Sequence, residues 1–166
     1  MSRVPAPAEK IVSLDLLLER VAARREAGAR LVFTNGCFEL LHRGHVRYLA
    51  AAAELGDLLV VGLNSDRSVR ELKGSGRPLV AAEERAEVLA ALGAVDFVTI
   101  FDQPTAVQLV QALRPEVYVK GGDYAGRPPP EAEVARAVGG DFQLIPFVPG
   151  SSTSELARRI RGDGGR

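Results

Sequence analysis

The stretch LVFTNGCFELLHRGHVRY, residues 31–48, decides how this chain is organised. Its first four residues are apolar or β-branched, a pattern typical of a buried strand. Asn35-Gly36 then lets the backbone turn sharply, and a helix-like segment begins near Gly44. The stretch therefore predicts a strand, a tight loop and the N-terminus of a helix.

Both histidines of the chain, His42 and His45, fall in this loop and the first turn of the helix. A spacing of three residues brings two side chains together on one face of a helix. The N-terminus of a helix also carries unsatisfied N–H groups and the positive end of the helix dipole, so its natural occupant is an anion. The pair therefore indicates an anion-binding site, although structural and surface histidine pairs have the same spacing.

The rest of the chain alternates between strand-like and helix-like segments, which implies one α/β domain with a parallel sheet. Ligands of such sheets bind beyond the carboxyl ends of the strands. The blocks that follow the strands should therefore converge on one edge, at residues 35–45, 64–66, 73–77, 120–124 and 150–154. The strands are predicted at 31–34, 58–63, 96–101, 117–119 and 142–148, and the main helices at 13–28, 46–55, 82–92, 102–113, 131–138 and 154–160.

The composition is that of an ordinary soluble globular protein, because 46% of the 166 residues are hydrophobic and 25% are charged. We expect a flexible N-terminal arm over residues 1–10, one domain over 11–162 and a short tail over 163–166. Acidic and basic residues balance at 21 each, which argues against nucleic acid or a membrane as a partner. The single cysteine, Cys37, excludes an internal disulfide. The sequence also shows no leader and no apolar run long enough to span a membrane, so the expected location is the cytoplasm.

Four blocks of the sequence, in their order and spacing, resemble the nucleotidylyltransferase superfamily with its HxGH signature. Within it they are most similar to the heptose 1-phosphate adenylyltransferase family, and the similarity spans residues 10–161. The blocks are GCFELLHRGHVRYL at 36–49, VGLNSDRSVRELKGSGRP at 61–78, VYVKGGDY at 117–124 and VPGSSTS at 148–154. The resemblance implies a Rossmann-like, doubly wound domain with a five-stranded parallel sheet in the order 3-2-1-4-5 and helices on both faces.

The resemblance also implies an activity, the transfer of AMP from ATP to heptose 1-phosphate, which gives an ADP-sugar and pyrophosphate. The expected partners are ATP and the sugar phosphate, with Mg²⁺ held mainly by the triphosphate and with no metal ligands on the protein. A homodimer is among the expected assemblies. Some relatives carry a kinase domain on the same chain, so a separate sugar kinase is expected upstream.

The same resemblance assigns roles to individual residues. The catalytic residues would be His42, His45 and Lys73. Nucleotide binding would involve Thr34, Asn35, Gly36, Cys37, Phe38, His42, Gly44, His45, Lys120, Gly121, Gly122, Ser152, Thr153 and Ser154. The acceptor substrate would be bound by Asn64, Asp66, Arg77 and Asp123.

Several of these residues also have a purely structural interpretation. Asp66 is equally well placed to cap a short helix. Ser152 and Glu155 fit an S-x-x-E capping box, which is compatible with phosphate binding by the remaining N–H groups. Lys73 and Lys120 each precede a glycine, which suits ammonium groups that reach phosphates but also suits ordinary surface loops.

Other chemistries fit the first loop less well. A metal site built on the two histidines would need a third ligand, and the pair lacks the HExxH spacing. A thiol nucleophile is also a poorer explanation of Cys37 than a small buried residue at a packed strand end. GxGxxG and GK[ST] are both absent from the sequence. The remaining alternatives are a glycerol-3-phosphate cytidylyltransferase, a phosphopantetheine or flavin mononucleotide adenylyltransferase, and a non-catalytic nucleotide-binding protein. Glu39 stands where the resembled family often has aspartate, Ser151 where it often has cysteine, and Ser154 where it has threonine.

Overall fold

The structure is a computed structural model that describes residues 5–122, 126–146, 148–150 and 152–162. Strands and helices alternate along these residues as the sequence predicts. The strands are β1 Leu31–Gly36, β2 Leu58–Asn64, β3 Phe97–Phe101, β4 Val117–Gly121 and β5 Asp141–Ile145. The helices are α1 Pro7–Lys10, α2 Leu14–Glu26, α3 Arg43–Ala53, α4 Asp66–Lys73, α5 Ala82–Ala90, α6 Val107–Leu113, α7 Pro130–Ala137 and α8 Thr153–Ile160.

The strands form one parallel sheet in the order β3-β2-β1-β4-β5, which confirms the predicted topology. β1 lies at the centre, between β2 and β4. The strand order reverses direction on either side of β1, and this is the point at which doubly wound sheets bind their ligands.

Successive residues of β1 point to opposite faces of the sheet and enter two separate cores. Leu31 and Phe33 pack on the side of α2, α6 and α7, whereas Val32 packs on the side of α3 and α5. Burial on both faces explains why the inner strands are almost continuously apolar. It also confirms the expected helices on both faces of the sheet.

Residues 7–10 differ from the expected flexible arm. They form α1, and the buried Lys10 donates hydrogen bonds to the carbonyl oxygens of Val95, at 2.8 Å, and Leu92, at 3.3 Å. These bonds attach the helix to the segment between α5 and β3. The predicted tail, 163–166, lies outside the described residues.

Two element boundaries also differ from the sequence prediction. Helix α6 begins at Val107 rather than at Asp102, because the buried Glu131 carboxylate accepts a hydrogen bond from the Ala106 amide, at 2.7 Å, just before the helix. Strand β5 ends at Ile145, where Pro146 cannot donate to a neighbouring strand. None of the helices in the described ranges combines the length and apolar character that crossing a bilayer requires.

We predict that Gly140→Ala destabilises the fold, since a Cβ at this position would lie 2.2 Å from the carbonyl oxygen of Pro115. Overpacking of this kind costs about 1–3 kcal/mol in the free energy of unfolding. Urea unfolding measures the change. Gly93→Ala is the matched control, because nothing lies within 4 Å of the added atom. Equal stability of the two variants would contradict the close approach.

Candidate active site

Two cavities meet at the carboxyl end of β1, where the predicted blocks converge. The first, of about 280 Å³, extends towards α8, and the second, of about 600 Å³, extends towards α4 and the loop before α7. The two share a wall formed by the β1 loop, α3, β4 and the start of α8. The residues of this shared wall are Asn35, Gly36, Cys37, Phe38, His45, Lys120 and Thr153.

The loop after β1 has an unusual backbone at Phe38, whose φ of 43° lies in the left-handed region. Side chains other than glycine rarely adopt this conformation, and such residues cluster at functional sites. The Phe38 ring lies against His45, with 5.3 Å between the ring centroids. A Cβ on Gly36 would lie 3.0 Å from the Phe38 ring, so glycine leaves room for this packing.

His42 is the N-cap of α3 through its ring. Its Nδ1 accepts a hydrogen bond from the Gly44 amide at 3.1 Å. A ring nitrogen that accepts a hydrogen bond carries no proton, so the neutral ring has its proton on Nε2. The His45 ring stacks on the His42 ring, with centroids 3.9 Å apart and planes at 26°. The predicted pairing of the two histidines is therefore present.

Both histidines favour the neutral form. Burial lowers the pKa of His42, and burial, the His42 ring and the Lys73 ammonium together lower the pKa of His45 to about 4. The buried Nδ1 of His45 has no hydrogen-bond partner in the part of the chain that the structure describes. At neutral pH the two rings therefore act as uncharged hydrogen-bond groups at the positive end of α3.

Glu39 is a site residue that sequence reasoning noted only as a departure from a family pattern. Its side chain is fully buried and accepts hydrogen bonds from Lys73 Nζ, at 2.7 Å, and from Nε and Nη2 of Arg77. Burial alone would raise the pKa of the Glu39 carboxyl, but the bonds from Arg77 and Lys73 outweigh it and lower the pKa to about 2. Lys73 lines the second cavity, whereas the Arg77 guanidinium is bound to Glu39.

Arg85 on α5 is a second residue that the sequence did not reveal. It is buried, and its Nη1 donates to the carbonyl oxygens of Cys37, at 2.6 Å, and Asn64, at 2.9 Å. Its Nη2 pairs with the Asp66 carboxylate at 2.8 Å. Arg85 thus fixes the ends of β1 and β2 relative to each other, and no local sequence pattern identifies an arginine with this role.

The structural interpretation of Asp66 as a cap is wrong, because Ser65 is the N-cap of α4 and accepts from the Ser68 amide at 3.2 Å. Asn64 is buried, lines the second cavity and donates to the Ser68 hydroxyl at 2.9 Å. Asp123, the fourth predicted acceptor-binding residue, lies outside the described residues.

Thr34 lies beneath the site rather than in its wall. Its buried hydroxyl is 2.7 Å from the Tyr48 hydroxyl and 3.0 Å from the Val119 carbonyl oxygen, and so it links β1, α3 and β4. Burial raises the pKa of the Cys37 thiol, which keeps it protonated and agrees with a packed rather than a nucleophilic cysteine.

The end of β4 supplies a cation to the shared wall. Lys120 lines both cavities, and its Nζ donates to the Asn35 carbonyl oxygen at 2.7 Å. The Tyr118 hydroxyl donates to Asn35 Oδ1 at 2.8 Å, so the turn after β1 is held from both its backbone and its side chain. Gly121 lines the first cavity, and Gly122 follows β4 directly.

The start of α8 completes the first cavity. Ser152 is its N-cap and accepts from the Glu155 amide at 3.0 Å, which confirms the predicted capping by Ser152. Thr153 lines both large cavities, and Ser154 is exposed in the first helical turn. A smaller cavity of about 220 Å³ continues past His42, with arginines at positions 43 and 159 in its wall.

The second cavity has polar lining residues that the sequence did not assign. They are Thr105 before α6, Arg127 before α7 and Glu131 in the first turn of α7. The cationic side chains of Lys73, Lys120 and Arg127 in this wall suit a phosphorylated ligand. Within the described ranges, no group of three His, Cys, Asp or Glu side chains is placed to hold a metal ion.

Comparison with known proteins agrees with this geometry. Residues 33–149 match the family model described as cytidylyltransferase-like, and the chain belongs to this family of nucleotidyltransferase enzymes. The bifunctional protein HldE of Geotalea uraniireducens is 55% identical over 152 residues, which are 92% of this chain and 31% of the relative. HldE of Koribacter versatilis is 51% identical over 156 residues, 94% of this chain and 32% of the relative.

The chain thus spans about a third of the length of the curated relatives that it matches. The fold is also found in the crystal structure of a lipopolysaccharide core biosynthesis protein from Thermoplasma volcanium. That structure has a TM-score of 0.60 and 23% sequence identity, and the match covers 72% of this chain and 97% of the other.

We predict that the free energy of unfolding falls as the pH is lowered from 6.5 towards 4, and that His45→Gln reduces this slope. The pKa of His45 is about 4 in the folded chain against 6.5 ordinarily, so in this window the unfolded chain binds the proton first. One such group changes the free energy of unfolding by at most about 1.4 kcal/mol per pH unit. Urea unfolding at several pH values measures the slope, and an unchanged slope in the variant would contradict a neutral, buried His45.

Proposed function

We propose that the chain transfers AMP from ATP to a sugar 1-phosphate, with heptose 1-phosphate as the preferred acceptor, and releases pyrophosphate. The observation that carries the proposal is the position of the two stacked, neutral histidines, at the N-terminus of α3 and beside both cavities. Membership of the nucleotidyltransferase family supports the reaction class. The four sequence blocks that resemble heptose 1-phosphate adenylyltransferases support the choice of base and acceptor.

The first cavity suits the nucleotide. Its walls contain Gly36, Gly44 and Gly121, which let a ligand approach the backbone, and Pro146 and Val148 supply apolar surface for a base. The triphosphate would then run along the start of α3, towards the smaller cavity beyond His42. Helix N-termini bind phosphates through free N–H groups and the helix dipole.

The second cavity suits the acceptor. Lys73 and Lys120 place ammonium groups in its wall, on the side nearest the histidines, where an acceptor phosphate would lie. Asn64, Thr105 and Glu131 line the same cavity and offer polar groups for sugar hydroxyls. An acceptor bound with its phosphate near the shared wall and its sugar in the second cavity would direct its phosphate towards the nucleotide.

In the proposed reaction, an oxygen of the acceptor phosphate attacks the α-phosphorus of ATP. The bond from the α-phosphorus to the bridging oxygen breaks, and pyrophosphate leaves with that oxygen. The attacking oxygen is already ionised at neutral pH, so the protein needs no general base. Its task is to align the two anions and to stabilise the charge that develops on the α-phosphate and the leaving oxygen.

His42 Nε2–H and the His45 ring would donate hydrogen bonds to these oxygens. The Gly44 amide fixes the tautomer of His42, so the Nε2 proton already points away from the helix before the ligand binds. The ring therefore needs no reorganisation during the reaction. Mg²⁺ would enter with ATP as part of the substrate and neutralise part of the triphosphate charge.

We predict that His42→Ala and His45→Ala each lower kcat by at least ~10²-fold, the usual effect of removing one donor from a developing charge. Pyrophosphate release measures turnover, and urea unfolding confirms that the variants are folded. Arg47→Ala, at an exposed position on the same helix, is the control and should retain activity. Near-normal turnover in both histidine variants would overturn the assignment of the site.

We also predict that ATP with heptose 1-phosphate gives the highest kcat/KM in a screen that crosses four nucleoside triphosphates with a panel of phosphorylated acceptors. It should exceed CTP with glycerol 3-phosphate by at least ~10²-fold, the scale expected when a wrong ligand leaves polar groups unpaired. A stronger signal from CTP would make the chain a cytidylyltransferase. Nucleotide binding without pyrophosphate release under any pairing would indicate a non-catalytic protein.

A further inference from the structure

Glu39 connects the histidine loop to a second loop, residues 73–79. Its carboxylate accepts from Lys73 at the start of that loop, from Arg77 near its end and from the Leu79 amide, at 3.3 Å, at its last residue. The Glu39 side chain has no exposed surface, so these contacts replace water entirely. A buried carboxylate with three residues of one loop as its partners determines where that loop lies.

Between these contacts, the Gly74 amide donates a hydrogen bond to the Arg70 carbonyl oxygen at 2.8 Å, and open space surrounds the two glycines. Gly74 and Gly76 have φ values of 95° and 87°, and a Cβ built on either one would have nothing within 4 Å. The loop therefore derives its position from Glu39 rather than from packing. Removal of the carboxylate should release Lys73 and Arg77 together.

The two cations bound to Glu39 are not equivalent. Arg77 is the more enclosed, with 18% of its side chain exposed, and it contacts both carboxylate oxygens. The Lys73 side chain is 37% exposed and lines the second cavity. Arg77 thus compensates the buried charge, while Lys73 has N–H groups to direct into the cavity.

We propose that Glu39 is a positioning residue, which holds Lys73 at the wall of the second cavity so that its ammonium faces the acceptor phosphate. The proposal rests on the proposed function for the role of Lys73. It gives Arg77 a different task from the substrate binding expected from the sequence, namely to keep Glu39 ionised and in place.

The kinetic test is a double-mutant cycle of Glu39→Gln and Lys73→Ala. Each single variant should lower kcat/KM at least ~10-fold, and the double variant should be no worse than Lys73→Ala, because contacting residues that act through each other are non-additive. Independent losses that multiply in the double variant would show that Glu39 does not act through Lys73 and would overturn the proposal.

A second readout does not depend on activity. Trypsin cleaves after lysine, and we expect slow cleavage at Lys73 in the wild-type chain because Glu39 holds this side chain. Glu39→Gln should raise the rate of cleavage between Lys73 and Gly74 by at least ~10-fold relative to Glu71→Gln, an exposed carboxylate on the same helix. The new terminus at Gly74 identifies the cut, and unfolding midpoints confirm that the variants are folded.

If Glu39→Gln does not fold, the paired change Glu39→Met with Arg77→Met replaces it in both tests, since it removes the buried ion pair as a unit and leaves no unpaired buried charge. Equal cleavage rates in the Glu39 and Glu71 variants would overturn the proposal. A wild-type chain without pyrophosphate release would overturn the proposed function instead, and the cleavage rates would still decide whether Glu39 holds Lys73.

Discussion

The hydrogen bond from the Gly44 amide to His42 Nδ1 is the interaction on which the site depends. It satisfies a free N–H group at the start of α3, and it also fixes which nitrogen of His42 carries the proton. His45, one turn into the helix, then stacks on a ring that is already oriented. A single residue therefore begins the helix and lines the first cavity. Protonation of Nδ1 would remove the cap, which links the neutral state of His42 to the structure of the helix start.

Around this pair the chain arranges its charges in two distinct ways. Lys120 lies close to the sheet and is held by the carbonyl oxygen of Asn35. Lys73 comes from a loop that is tied down by a buried carboxylate. The positive charge of the site is thus preorganised before a ligand arrives, and both histidines are kept uncharged by burial. The charge of these groups is therefore constant near neutral pH, where the ammonium groups stay positive and the histidine rings stay neutral.

The sequence was sufficient for the parts of the molecule that depend on local patterns. The apolar strands and the convergence of the loops at one edge follow from periodicity and from the geometry of parallel sheets, and the cap at Ser152 follows from its S-x-x-E pattern. The strand order came from the resemblance alone. The pairing of His42 with His45 could be predicted from spacing, but the capping role of the His42 ring could not, because histidine is an uncommon N-cap.

The contacts that the sequence did not reveal are those between residues distant in the chain. Glu39 meets Lys73 and Arg77, and Arg85 meets the ends of β1 and β2, only after the strands have been ordered in the sheet. The same applies to Lys10, whose partners lie beyond α5. Each is a buried or half-buried charge that needs a partner, and the sequence contains the charge but not the identity of the partner.

The most direct test of the central claim is a crystal structure of the chain with Mg²⁺ and a non-cleavable ATP analogue that has a methylene between the α- and β-phosphorus atoms. The account predicts the base in the cavity between Gly121 and Val148, and an α-phosphate oxygen about 3 Å from Nε2 of His42. A triphosphate bound elsewhere, with both histidine rings out of hydrogen-bond reach, would contradict it.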